Sequence, residues 1–555
     1  MTLAVDSLFV ELTAPDTGTA VARVSAALHA LGLPPGTWTR GALLPDPVPG
    51  GWGLELTFLE RASVTTPVAA WRLAHALTSE LGSDARVHPC FDGAIPRVGV
   101  EAMFDTDDAP RDVTWHLANL RVDDAHAAVR AKGREPGAGV VIGHPDTGFT
   151  HHPDIWSAHA SPVVSGENFL EAGEALDPRH GGPLLQPGHG TRTASVLVAQ
   201  PGHPVLRARS LEPVDLRGVA PAAQVRAYRV TDSVILLGWG RRLARAIERA
   251  VDDGCQVISL SLGGLGDARL DRAIRYAEAR GVVVVAAAGN YVPWVVAPAN
   301  HPLVVACAAS DVDDRPWRYS ASGDEVDITA PGHGVWIAAW QGDVPVAEAS
   351  SGTSYATAAV AGACAVWRSY HAETLARIHP VLQPAMFRAV LRKSARAAGL
   401  GGGFGAGVLD CNALLAQPLE RPVAEAVGAA VTTDRQLAAV LAGAPPAAAA
   451  RFEALAPIER AELAFHLATD QEAREAWRTD RAGTAPIPAN ATRRLQVALS
   501  GDRLRTAGPI GAERPALRPT APVAAPVATP TGSTTLTFHV EIDVPITVTT
   551  TPGEP

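Results

Sequence analysis

Five apolar, largely β-branched runs constrain this chain most: Val140–Gly143, Val225–Val230, Val257–Leu262, Val282–Ala287 and Val304–Ala308. Helical stretches such as Arg242–Asp252 and Leu270–Arg280 separate them. Strands with little polar face must be covered on both sides, and alternation with helices supplies that cover. The expected fold class is α/β, a parallel sheet with helices on both faces. Such a sheet presents chemistry at strand and helix ends.

The remainder of the 555 residues leaves room for about two to four domains. Residues 1–105 form a separate unit: strands at Leu8–Leu12, Trp52–Leu59 and Arg86–Pro89, and helices at Thr19–Leu31 and Pro67–Leu81, predict a small α+β sandwich. The central domain spans 110–416. An Ala/Arg-rich helical extension follows over 417–507, with helices expected at Asp434–Leu441 and Ile458–Arg478. Residues 508–532, rich in Pro, Ala and Thr, read as a linker. The segment 533–555 carries an alternating strand, Leu536–Val544. A strand must pair, so 536–548 either joins the protein's own N-terminal or central sheet or is donated to a partner chain.

A net charge of −10 argues against a nucleic-acid partner. Lysine occurs twice, at Lys132 and Lys393, so the basic residues are nearly all arginine. The absence of any run of about 18 apolar residues argues against a membrane partner. The five cysteines, Cys90, Cys255, Cys307, Cys364 and Cys411, are widely spaced without a Cys-x-x-Cys pair. Three of them, Cys255, Cys307 and Cys364, sit in apolar contexts that suit buried thiols. Met1–Val10 carries no basic stretch followed by an apolar core, so a cytoplasmic location is expected.

The chemistry concentrates in three places. Gly352-Thr353-Ser354 puts a hydroxyl between a glycine-led turn and the apolar run Ala356–Val366, at the start of a helix. Backbone N–H groups converge there and can stabilise negative charge on an attacked carbonyl. Upstream, Val140–Gly143 runs on through His144 and Pro145 to an acid and a turn, Asp146-Thr147-Gly148, and His189 opens a helix of small residues. Taken singly, Asp146 fits a turn, His189 a helix terminus, Ser354 a helix cap and Gly289-Asn290 a left-handed turn.

Their order, acid then base then serine, resembles the subtilisin-like serine peptidases. Further matches follow in the same order: His152-Pro153-Asp154, Gly218-Val219-Ala220-Pro221, the strand Val257–Gly264, Ala286–Asn290 and Gly405–Asp410. The resemblance covers roughly 110–415 and implies a serine endopeptidase acting on protein or peptide substrates. Ser354 would be the nucleophile, His189 the base and Asp146 its orienter, with Asn290 and the Ser354 N–H as oxyanion donors. It further implies a substrate-flanking edge at Ser261, Leu262 and Gly263, and a pocket wall at Ala287, Ala288 and Gly289. Pro298 matches a proline that is often cis in the family; a simple loop proline fits equally. Residues 1–105 correspond in size to the family's prodomain, or are a permanent accessory domain.

Several positions depart from the family pattern. Ala358 and Ala359 stand where proline and histidine are usual, and Pro145 precedes the acid. Pro201–Leu216 replaces the usual Asn-rich calcium loop, so no cofactor is expected. The histidines His144, His151 and His152 lack a fixed ligand spacing, so no metal is expected either. The alternative reading is an inactive binding or scaffold protein on the same fold. An α/β-hydrolase is disfavoured, because Gly-x-Ser-x-Gly and the order Ser, acid, His are missing.

Overall fold

The computed structural model describes residues 4–33, 38–45, 51–58, 67–82, 84–92, 109–157, 161–177, 186–208, 210, 212–236, 240–264, 266–292, 294–419, 446–480, 482, 484–488, 490–500, 535–539 and 547–551. The N-terminal unit comprises β1 (Ala4–Thr13), α1 (Thr17–Ala30), β2 (Trp38–Pro45), β3 (Gly51–Phe58), α2 (Pro67–Leu81) and β4 (Ala85–Asp92). Its strands form an antiparallel sheet in the order β2-β3-β1-β4, a split β-α-β arrangement. Strand β2 is additional to the expected pattern, since Trp38–Pro45 lacks a clean alternation. Along β1 the period of two separates two faces. Leu8, Val10 and Leu12 join Val24, Leu28, Trp71 and Leu77 in the unit's own core. Phe9 instead packs on Ala268 of the central domain, and Glu11 pairs with Arg275 at 2.8 Å.

The central domain runs from α3 (Trp115–Asn119) and α4 (Val122–Ala131) through β5 (Val141–Asp146), β6 (Val163–Asn168), α5 (His189–Val198), β7 (Val205–Arg207), β8 (Pro213–Val214) and β9 (Gln224–Arg229). It continues with β10 (Ile235–Leu236), α6 (Gly240–Asp252), β11 (Val257–Leu260), β12 (Gly263–Gly264), α7 (Ala268–Ala279), β13 (Val283–Ala287) and β14 (Val305–Ser310). The domain closes with β15 (Ile328–Pro331), the hairpin β16 (Val335–Gln341) and β17 (Val344–Ser350), α8 (Thr353–Tyr370), α9 (Ala372–Leu375), α10 (Gln383–Ser394) and α11 (Cys411–Ala416).

Seven strands form a parallel sheet in the order β15-β14-β13-β11-β5-β9-β6. Alternate residues of each strand feed two cores. Val257, Val283, Val285, Val305 and Cys307 pack under α5 and α8. Ile258, Leu260, Val284, Ala286 and Ala306 pack under α6 and α7. That division explains why the runs read as continuously apolar. The chain proceeds from β5 toward β9 and β6, then returns to build β11 on the other side of β5. The crevice beyond the carboxyl ends of β5 and β11 is therefore a topological switch point, where such sheets bind ligands.

Among its described residues the C-terminal unit has the helices α12 (Pro446–Glu453), α13 (Pro457–Thr469), α14 (Gln471–Thr479) and α15 (Arg493–Ser500). The single helix expected over 458–478 is two, because the Asp470 carboxylate caps a new start by accepting from Ala473 N at 3.0 Å. The helix expected at Asp434–Leu441 and the linker 508–532 lie outside the described residues. Strand β18 (Thr535–His539) pairs antiparallel with β19 (Thr547–Thr551), its only ladder partner among the described residues. Cys255, Cys307, Cys364 and Cys411 are buried free thiols. Among the described residues no helix is long and apolar enough to cross a membrane.

Candidate active site

Asp146 ends β5, next to the switch point, and is completely buried. His189 is the first residue of α5, and its Nδ1 lies 2.7 Å from Asp146 Oδ1. The same carboxylate oxygen accepts from Thr147 N at 2.7 Å. Burial raises the Asp146 pKa, but the His189 ring, with smaller help from His144 and the Thr147 N–H, outweighs it and holds the carboxyl below its ordinary value. An imidazole hydrogen-bonded through Nδ1 to a carboxylate is fixed in orientation, leaving Nε2 as the working atom. His189 Nε2 is buried and has no hydrogen-bond partner among the described residues.

Ser354 is the second residue of α8 and is buried. Its hydroxyl donates to Ser261 O at 3.1 Å, and Ser261 Oγ donates back to Ser354 O at 2.9 Å. Asn290 lies three residues beyond the end of β13. Its Oδ1 accepts from Thr353 N at 2.9 Å and from Thr353 Oγ1 at 2.8 Å, which turns the amide nitrogen away from that contact. A Cβ built on Gly352 would lie 3.4 Å from Asn290 Nδ2, 3.7 Å from Ser354 N and 3.8 Å from Ser354 Oγ. Two N–H donors and a hydroxyl therefore converge on one small space. Ser354 N belongs to the first helical turn, whose N–H groups have no intrahelical acceptor.

The segments expected to flank a substrate surround this space. Ser261 and Leu262 link β11 to β12, and Gly263 opens β12. Ala287 ends β13, with Ala288 and Gly289 following; Ala288 N donates to Cys307 O at 2.9 Å. Val296 lies between these two walls, its N–H donating to Ala288 O at 2.9 Å. Its neighbour Ala297 exchanges hydrogen bonds with Gly264, at 2.8 and 3.0 Å. A Cβ on Gly263 would meet Val296 Cγ2 at 2.4 Å, and one on Gly289 would meet Val296 Cγ1 at 3.1 Å. The close approach that Gly263 permits here is thus by Val296. The Ala297–Pro298 peptide bond is cis.

Sequence reasoning missed the residues that tie acid to base. Asp177 accepts from Gly188 N at 2.9 Å and is hydrogen-bonded to the Thr147 hydroxyl, which in turn accepts from Gly190 N at 2.9 Å. Burial, with the nearby Asp146 charge, pushes Asp177 up to about 8. His144 Nε2 meets Thr193 Oγ1 at 2.9 Å, joining β5 to α5 a second time. Gly190 fits because a Cβ there would sit 2.0 Å from Gly148 O. Only the Thr147 hydroxyl beside the acid offered a signal in the sequence.

Asp154 is fully buried with its carboxylate 3.4 Å from His152 Nδ1 but without a hydrogen-bond partner among the described residues, and burial with the Asp215 charge pushes it up to about 7. Among the described residues no three His, Cys, Asp or Glu side chains converge as metal ligands would.

A buried Asp–His pair and a helix-start serine beside a side-chain amide, at the switch point of a parallel sheet, define the architecture of a serine hydrolase. Residues 137–407 match the family described as the Subtilase family, Peptidase_S8. The chain is 36% identical over 229 residues to thermitase of Thermoactinomyces vulgaris, covering 41% of this chain and 74% of thermitase. It is 31% identical over 260 residues to subtilisin Savinase of Lederbergia lenta, covering 46% of this chain and 83% of that protein. Fervidolysin from Fervidobacterium pennivorans, a keratinolytic enzyme related to subtilisin, shares the fold with a TM-score of 0.53 at 20% identity, over 75% of this chain and 62% of fervidolysin. The chain belongs to the subtilase family and is a serine-type endopeptidase whose substrates are proteins or peptides.

Proposed function

We propose that Asp146, His189 and Ser354 act as the catalytic triad, and that Asn290 with the Ser354 N–H forms the oxyanion hole. The observation that carries this reading is the buried 2.7 Å contact of His189 Nδ1 with Asp146, which leaves Nε2 unpartnered. The Ser354 hydroxyl, resting on Ser261 O, turns about its side-chain torsion to donate to His189 Nε2. As Ser354 Oγ attacks the substrate carbonyl carbon, Nε2 takes the hydroxyl proton and the imidazolium is stabilised by Asp146. The carbonyl oxygen becomes an oxyanion between Ser354 N and Asn290 Nδ2, the amide already oriented by the Thr353 contacts. Collapse breaks the C–N bond, and His189 returns the proton to the leaving amine. Water then repeats the sequence on the ester and frees Ser354.

Ser261, Leu262 and Gly263 form one side of the substrate channel and Ala287, Ala288 and Gly289 the other, with Val296 between them. The N-terminal unit acts as a prodomain-like cover, seated through β1 on the peptidase domain. The candidate processing stretch around 105–112 falls largely outside the described residues. The buried free thiols suit a reducing, cytoplasmic setting, which cell fractionation tests directly.

Turnover of a denatured protein substrate tests the assignment. His189→Ala lowers kcat on the order of 10⁶-fold, as loss of a triad base generally does. Asn290→Ala lowers it by about 10²–10³-fold, the size a preorganised oxyanion donor typically carries. Wild-type rates in either folded variant contradict the reading.

A further inference from the structure

We infer that the C-terminal helical unit is a built-in receptor for the N-terminal domain, gripping it through α2 so that a chain break between residues 92 and 109 leaves the two parts bound. The inference concerns how the molecule is held together and does not depend on the triad reading.

The contact has the pattern of a permanent interface. Ile458, Ala461 and Phe465 form one stripe of α13 and belong to the same apolar core as Leu8, Val10, Leu28 and Leu77 of the N-terminal domain. Phe465 packs against Trp71 with ring centroids 6.2 Å apart. On α2, Trp71, His75 and Ser79 recur every fourth residue and so share one face. Each has a counterpart in the helical unit. His75 Nε2 lies 2.6 Å from Glu462 Oε2, and Ser79 Oγ accepts from an Arg494 guanidinium nitrogen at 2.9 Å.

Glu462 sits on the same stripe of α13 and is completely buried. Its carboxylate also accepts from Thr492 N at 2.6 Å and Thr492 Oγ1 at 2.8 Å. Burial raises its pKa, but hydrogen bonds from His466 and His75, with the Thr492 N–H, bring it down to about 2. A buried carboxylate needs nearly all its acceptor positions filled, and here partners come from both units.

The helical unit is anchored on the peptidase side as well. Trp294, in the loop between Asn290 and Val296, packs against its core of Leu463, Trp477 and Leu495, and the Arg474 guanidinium lies 5.3 Å from the Trp294 ring. The N-terminal domain is therefore gripped by α13 on one side and by α7 on the other.

The test uses full-length Ser354→Ala protein, checked by mass spectrometry to be uncut, with a site for a sequence-specific viral protease inserted between residues 100 and 101. After cutting, size-exclusion chromatography and native mass spectrometry should find the N-terminal fragment with the rest of the chain, one to one and monomeric. Phe465→Ala should raise the dissociation constant of the fragment by about tenfold or more. Because Phe465→Ala can loosen the helical unit itself, His75→Ala and Arg494→Ala, which cut the contact from either side, should each release the fragment more readily, with an unchanged helical signal by circular dichroism. Dissociation of the wild-type fragment as easily as from a chain ending at residue 419 would overturn the inference. So would a complex in which the fragment sits on the helical unit of a second copy.

Discussion

Asp146 and Asp177 are buried carboxyls on the same loop system, and their surroundings drive them in opposite directions. Asp146 has an imidazole against it and stays ionised. Asp177 has a hydroxyl, a peptide N–H and the Asp146 charge nearby, and burial keeps its proton on up to about pH 8. A folded-state pKa above the unfolded value of 3.8 means that the contribution of Asp177 to stability is complete below that value. It is lost progressively as pH rises through about 8. Asp177→Asn cannot ionise and does not show this loss. The melting temperature of Asp177→Asn relative to wild type should therefore rise between pH 5 and pH 8.5, by a few degrees. A difference that does not change with pH would show that Asp177 titrates normally. Sequence could not reveal this pairing, because the Thr147–Asp177 contact spans 30 positions and depends on two loops meeting.

At the scale of elements, the buried strands and the amphipathic helices were legible because their apolar periods are set by burial. All five runs are strands of the central sheet, and the helices around Arg242–Asp252 and Leu270–Arg280 stand within two residues of expectation. Elements defined by partners rather than by pattern were not legible. Strand β6, Val163–Asn168, is half polar and exists because β9 offers it a ladder. Strand β15 and the β16–β17 hairpin owe their place to the sheet edge and to α5 in the same way. The four positions proposed for the triad and oxyanion hole lie in short motifs that the sequence alone singles out. The wall formed by the 291–297 loop was not legible in this way, because Val296 reaches the channel only through the hydrogen bond to Ala288 O.

Val296 lies against both Gly263 and Gly289, and in the proposed channel we expect its side chain to limit the size of the residue accepted before the scissile bond. Val296→Gly should raise kcat/KM for a peptide with Phe before the scissile bond, relative to Ala, by about 10–100-fold, the range for opening a pocket by two or three methyl-sized groups. Equal rates of labelling by a small active-site reagent in both forms would separate this effect from damage to the triad. An unchanged Phe-to-Ala ratio would remove Val296 from the pocket.

On the scale of the whole molecule, the peptidase domain carries an N-terminal domain on α7 and a helical unit that meets both that domain and the loop after Asn290 at Trp294. The parts flanking the peptidase domain are thus joined to each other as well as to it. Neither the buried Glu462–His75 contact nor the Trp71–Phe465 packing could be foreseen, since each links positions nearly four hundred residues apart along the chain.

The central claim, that Ser354 is a nucleophile activated by His189 and Asp146, is tested most directly by peptide mass mapping after treatment with a fluorophosphonate. A single phosphonyl adduct is expected on the peptide containing Ser354, its formation slowed at least about a thousandfold in His189→Ala. An intact, folded wild-type protein that acquires no adduct, or acquires it on another residue, would contradict it.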